Sequence, residues 1–139
     1  MPILISIRKV HVDNIFSGMK RIEFRKFFPK EYRGTLVIYE CGPDSCHKVV
    51  GKFRTENVTL YDPSKGLTME VSKCIRSTDY TDFDLDCIRR LTEPRYLVPI
   101  INPVHTAVVT LDEFNAKYIT SPVLTPPRSW TRFTCLARR

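Results

Sequence analysis

The eight residues Gly18-Met19-Lys20-Arg21-Ile22-Glu23-Phe24-Arg25 mark a change of period in the chain. Ahead of and into them, Val12, Ile15, Phe16 and Met19 recur at i, i+3, i+4 and i+7, which predicts one apolar face of a short helix. Gly18 falls near its end, where a left-handed cap conformation costs glycine least. From there the period is two. Ile22 and Phe24 alternate with Arg21, Glu23 and Arg25, which predicts a strand apolar on one face and charged on the other. Glu23 and Arg25 then project from the same face, and Lys20 stands at the helix-to-strand corner. A carboxylate between two cations can accept a base's amino group, while the cations meet phosphate or a carbonyl oxygen. Arg8, ending the preceding predicted strand, adds a charge if that strand is adjacent. As a solvated ladder the same side chains would only pair with one another, each pair giving roughly 0–1 kcal/mol. The residues by themselves leave both readings open.

Outward from this corner, residues 2 to 8 predict a buried strand and Thr35 to Glu40 another, entered through Gly34. Cys41-Gly42-Pro43-Asp44 is a turn signal. Val49 to Leu60 reads as one long strand bent at Gly51. Asp62 to Gly66 is loop material. Thr81 and Asp84 fit a helix-start pattern, with Phe83, Cys87, Ile88 and Leu91 on one face and Pro94 closing the element. A strand over 104 to 111 and a last one around Trp130 to Leu136 follow. The pattern predicts an α+β protein: a small mixed β-barrel with a short helix packed on it and an inserted helical segment around residues 80 to 93. At 139 residues the chain suits a single domain spanning 1–139.

Twenty-two Lys and Arg against fifteen Asp and Glu give a net charge of +7, which favours polyanionic partners through counterion release. The charge is polarised: Arg8 to Arg33 holds eight bases and three acids, whereas residues 79 to 86 hold four Asp and no base. No apolar run approaches the roughly 20 residues that span a bilayer. The start lacks a basic region before its short apolar stretch, so a soluble, cytoplasmic protein without a signal peptide is expected. Five cysteines at unrelated spacings read as free thiols; Cys41, Cys46 and His47 lack the second ligand pair of a structural zinc site. Asp82, Asp84, Asp86 and Glu93 imitate part of a calcium loop, but Cys87 occupies the position that needs glycine. No metal or organic cofactor is expected. Trp130, in a basic, proline-rich approach to the last strand, and Tyr39, near a strand end, are candidates to stack on a nucleobase or to fill the core.

The stretch Gly18 to Arg25 fits G-x-K-x-x-E-x-R and resembles the signature of ASCH domains, which belong to the PUA-like superfamily. Ile5-Ser6-Ile7-Arg8 before it and Lys26 after it agree with the family pattern. The resemblance is clear over residues 3 to 53, weaker after 104 and absent over 60 to 103, an apparent insertion. It implies a PUA-like barrel of five or six strands, with a cleft beside the signature helix for RNA or a modified nucleoside. Lys20, Glu23 and Arg25 would form that cleft, with Arg8 flanking. One branch of the family resembles amidohydrolases acting on N4-acylated cytidine, in which a threonine stands at the place of Glu23. That departure counts against a deacylase, since a carboxylate cannot replace the hydroxyl in acyl transfer. A metal-independent ribonuclease using Lys20 and Glu23 is chemically possible. Binding of RNA or a nucleotide ranks first, a hydrolase of RNA or of N4-acetylcytidine second, and a protein-interaction module, with residues 60 to 103 as its surface, third. A monomer is expected.

Overall fold

The computed structural model describes residues 2–118 and 130–132. In chain order its elements are β1 (Ile3–Arg8), α1 (Lys9–Phe16), β2 (Ile22–Arg25), β3 (Gly34–Cys41), β4 (Val49–Thr55), β5 (Thr59–Tyr61), α2 (Met69–Arg76), α3 (Asp82–Arg89), β6 (Arg95–Pro99), β7 (Ile101–Val109), α4 (Leu111–Tyr118) and β8 (Trp130–Arg132). The described strands form a five-stranded sheet in the order β7-β4-β3-β1-β8 and a three-stranded sheet in the order β2-β6-β5. The fold is therefore mixed α+β. Among the described residues no ring of strands closes, so the barrel stays an expectation of the resemblance.

Two compact units are each assembled from segments distant in sequence. The first comprises the described parts of Met1–Asp13, Thr35–Phe53 and Val104–Arg139, and the second Asn14–Gly34 and Arg54–Pro103. In the first, β1 runs parallel to β3 with Ile5 beside Ile38, and antiparallel to β8 with Ile5 beside Trp130. Parallel neighbours need a crossover, and α1 and β2 lie in the intervening chain. Leu4, Tyr39, Val49 and Phe114 form a core cluster here. In the second unit β6 is the central strand, antiparallel to β2 (Ile22 beside Pro99) and to β5 (Thr59 beside Leu97). Ile22, Tyr61, Val71, Cys74, Ile75, Ile88 and Leu97 pack together, so α2 and α3 lay their apolar stripes against this sheet.

Several expectations are corrected. The stretch from Val49 to Leu60 is two strands, and the break is at Asn57, whose φ of 58° takes it out of the extended region; Gly51 lies inside β4. Helix α1 stops at Phe16 and leaves Met19 half exposed, because Gly18, at φ 88°, turns the chain and donates to Ile15 O at 3.2 Å. The segment 60 to 103 holds more than one helix. Helix α2 starts at the Thr68 cap and buries Val71, Cys74 and Ile75, and β6 follows α3. Helix α3 opens on the expected Thr81–Asp84 capping box, but its buried face is Asp84 and Ile88, with Leu85 and Leu91 packed alongside. Strand β7 begins at Ile101 rather than 104, and Leu111 belongs to α4. Strand β8 covers Trp130 to Arg132; the expected continuation to Leu136, Cys135 and the C-terminal tail lie outside the described residues.

Candidate functional site

The second unit brings Lys20, Glu23 and Arg25 together. Glu23 is the second residue of β2, Arg25 its fourth, and Lys20 stands two residues before the strand. The period-two pattern places Glu23 and Arg25 on one side of the strand. Arg25 donates from Nη2 to Glu23 Oε2 at 2.6 Å and from Nε to the same oxygen at 3.0 Å. Lys20 Nζ lies 3.3 Å from the other oxygen, Oε1. The Lys20 ammonium also sits 4.8 Å from the centre of the Phe24 ring, a cation–π distance.

The side chains thus pair as the ladder reading requires, yet the face is not solvated. Lys20 is 3% and Glu23 5% exposed, and the side chain of Arg25, 14% exposed, is the most open of the three. Burial alone would push the Glu23 carboxyl upward. The Arg25 guanidinium and then the Lys20 ammonium overcome that and hold it below its ordinary value.

Two residues that the sequence marked only as a helix start also belong to this corner. Asp84, fully buried, accepts from the backbone N–H of Arg21 at 3.0 Å and of Ile22 at 3.2 Å, and Thr81 caps the same helix. The capping pattern at 81 and 84 was legible. Nothing in the spacing says that its carboxylate reaches a segment more than 60 residues earlier. Cys87, one turn further along α3, feels the Lys20 charge, though burial is the larger influence and raises its thiol pKa.

The other candidates belong to the first unit. Arg8, at the exposed end of β1, lays its side chain over Gly42, where an added Cβ would come within 3.3 Å of the Arg8 Cγ. Tyr39 is buried in the cluster of Leu4, Val49 and Phe114, which is a packing environment. Trp130 opens β8 beside Ile5 and is half-buried. The first unit holds an apolar cavity of about 590 Å³ lined by Val37, Val49, Val109 and Phe114 among others. The second holds a polar cavity of about 560 Å³ lined by Lys30, Arg33, Asn57 and Lys73 among others. Lys20, Glu23 and Arg25 line neither. Among the described residues no group of His, Cys, Asp and Glu stands as a metal's ligand set.

No protein-family model matches the sequence, and no curated protein matches it. Solved structures do. The crystal structure of ASCH from Zymomonas mobilis superposes with a TM-score of 0.62 at 19% identity, over 99% of this chain and 88% of that one. A tyrosine-to-phenylalanine mutant of the same protein gives 0.62 at 20% identity, over 99% and 91%. A serine-to-alanine mutant gives 0.59 at 19%, over 99% and 89%. At these identities the likeness is one of backbone architecture, and it spans nearly the whole of both chains. The chain has the fold of an ASCH domain.

Proposed function

We propose that this chain is an RNA- or nucleotide-binding domain of the ASCH, PUA-like kind, with its ligand site at Lys20, Glu23 and Arg25. The observation that carries the reading is the gathering of two cations on one carboxylate where little water reaches. Taking charges out of water costs several kcal/mol per ion, and the three side chains together carry a net positive charge. A phosphate or carbonyl oxygen arriving beside Arg25, the most open of the three, meets that charge. The Glu23 carboxylate, gripped from both sides, presents an oriented acceptor for a base's amino group.

The same geometry argues for binding ahead of catalysis. A general base works best with a pKa near the operating pH. Glu23 is shifted the other way, which makes it a weak proton acceptor. The ribonuclease and N4-acylcytidine amidohydrolase readings would both need Lys20 or Glu23 released from this pairing.

Fluorescence anisotropy with labelled single-stranded RNA and with nucleotides tests the proposal, using the folded Lys20→Met and Arg25→Gln proteins beside wild type. Each variant is expected to weaken binding about tenfold or more, which corresponds to about 1.4 kcal/mol. Wild-type affinity in both would remove the site. Cleavage of the RNA, or release of acetate from acetylated cytidine, would move the hydrolase to first place.

A further inference from the structure

The structure assigns to Thr81 and Asp84 a second duty beyond opening α3: together they clamp the peptide groups on both sides of Lys20 and so position its ammonium against Glu23. The inference rests on the ligand-site reading above and extends it to helix α3, which lies some 60 residues after the signature. Thr81 Oγ1 lies 2.5 Å from the carbonyl oxygen of Met19, the peptide group immediately before Lys20. Asp84 accepts from the N–H of Arg21, the peptide group immediately after it, at 3.0 Å to Oδ1 and 3.2 Å to Oδ2. Its Oδ1 also accepts from Ile22 N at 3.2 Å. The box closes on itself, since Thr81 N donates to Asp84 Oδ2 at 2.9 Å and Asp84 N donates to Thr81 Oγ1 at 3.3 Å.

The corner needs this help. Helix α1 has ended and β2 has not begun, so residues 17 to 21 have no regular ladder; the N–H groups of Arg21 and Ile22 that Asp84 accepts from are part-buried and buried, where a missing partner is costly, whereas the Thr81 bond to Met19 lies on the exposed side. Three further backbone bonds hold the corner: Gly18 N to Ile15 O at 3.2 Å, Lys20 N to Asn14 O at 3.0 Å, and Ile100 N to Arg21 O at 2.7 Å. A lysine side chain is a flexible four-carbon stem, and holding it in one geometry costs rotamer entropy. Placing its Nζ 3.3 Å from Glu23 therefore depends on a backbone that does not shift. A displacement of about 1 Å in a supporting shell is enough to spoil a site of this kind. Asp84 is wholly buried. A helix cap alone does not need a carboxylate wholly out of water that also accepts from two backbone N–H groups of another segment.

The test follows the Glu23 side-chain carbon by NMR through an acid titration, alongside RNA anisotropy, in wild type, Thr81→Val, Thr81→Ser and Asp84→Asn. Thr81→Val keeps the side-chain shape and loses the hydroxyl, whereas Thr81→Ser keeps it. In Thr81→Val and Asp84→Asn the Glu23 pKa should rise toward its ordinary value and RNA affinity should fall about tenfold. Thr81→Ser should match wild type in both. If the folded Thr81→Val and Asp84→Asn proteins lose thermal stability while the Glu23 titration stays as in wild type, the pair is only a helix cap and the inference falls. Should Lys20→Met bind RNA like wild type, the ligand-site reading fails instead, and the Glu23 titration still decides the clamp. If Asp84→Asn does not fold, Thr81→Val and its serine counterpart carry the decision.

Discussion

Glu23 holds its charge where water scarcely reaches, because Arg25 and Lys20 each cover one of its oxygens. Removing the shared carboxylate therefore strands two cations. Glu23→Gln should destabilise the fold by roughly 3–5 kcal/mol, the usual cost of breaking a buried pair. Lys20→Met should cost less, since Glu23 keeps both Arg25 bonds and the new side chain still covers the Phe24 ring. Urea denaturation of the three proteins at neutral pH checks the order. The pH dependence follows from the direction of the shift. The carboxyl titrates below its ordinary 4.5 in the folded state, so its contribution is complete above that value and is lost as pH falls through the folded pKa. Between pH 6 and pH 3 the stability gap between wild type and Glu23→Gln should therefore shrink. A constant gap would show that the carboxylate is not held as described.

Among the elements, α3 shows how much a cap explains and where it stops. Thr81 and Asp84 announced the helix start, and the structure contains that box. The buried face was misjudged because Phe83 and Cys87 are apolar and Asp84 is not; hydrophobic spacing cannot foresee a buried aspartate that is occupied by distant backbone N–H groups. Helix α2 carried a legible spacing in Val71, Cys74 and Ile75, but its eight residues are too few for a decisive period. Thr68→Ala should cost about 1 kcal/mol in thermal or chemical denaturation, since Thr68 accepts from Val71 N at 3.2 Å and caps α2. The opposite sign is expected at Glu31, exposed and held at φ 61°. Left-handed backbone costs a side chain about 1–2 kcal/mol, so Glu31→Gly should raise stability by a few tenths to 1 kcal/mol after the glycine's own chain entropy is set against it.

At the scale of the whole molecule, the +7 charge and the buried triad make separable predictions. If the proposed site binds RNA, the logarithm of the affinity should fall linearly with the logarithm of salt concentration, and Lys20→Met should flatten that slope by about 0.7 for each single-strand phosphate that the variant no longer neutralises. An unchanged slope with weaker binding would mean that Lys20 meets a base rather than a phosphate. A second global readout is Cys74, fully buried in the core of the second unit, with burial pushing its thiol up to about 12. Burial and then Glu40 also raise the Cys46 thiol pKa, but it is exposed, so native-state labelling located by mass spectrometry should find it modified before Cys74, which reacts only at the rate of unfolding. Equal rates would show that the second unit opens locally.

Local chemistry was readable from the chain itself. The change of period around residue 20, the glycine at the helix end and the Thr81 cap each depend on neighbours within a few positions, and each has its counterpart in the structure. Long-range pairing was not readable. Whether Lys20, Glu23 and Arg25 lay in water or out of it depended on what packed over them. So did the core placement of Tyr39 and the seat that Asp84 finds on the backbone of Arg21 and Ile22. Burial and non-local hydrogen bonds are properties of which surfaces meet, and partners some 60 positions apart leave no periodic mark in the sequence.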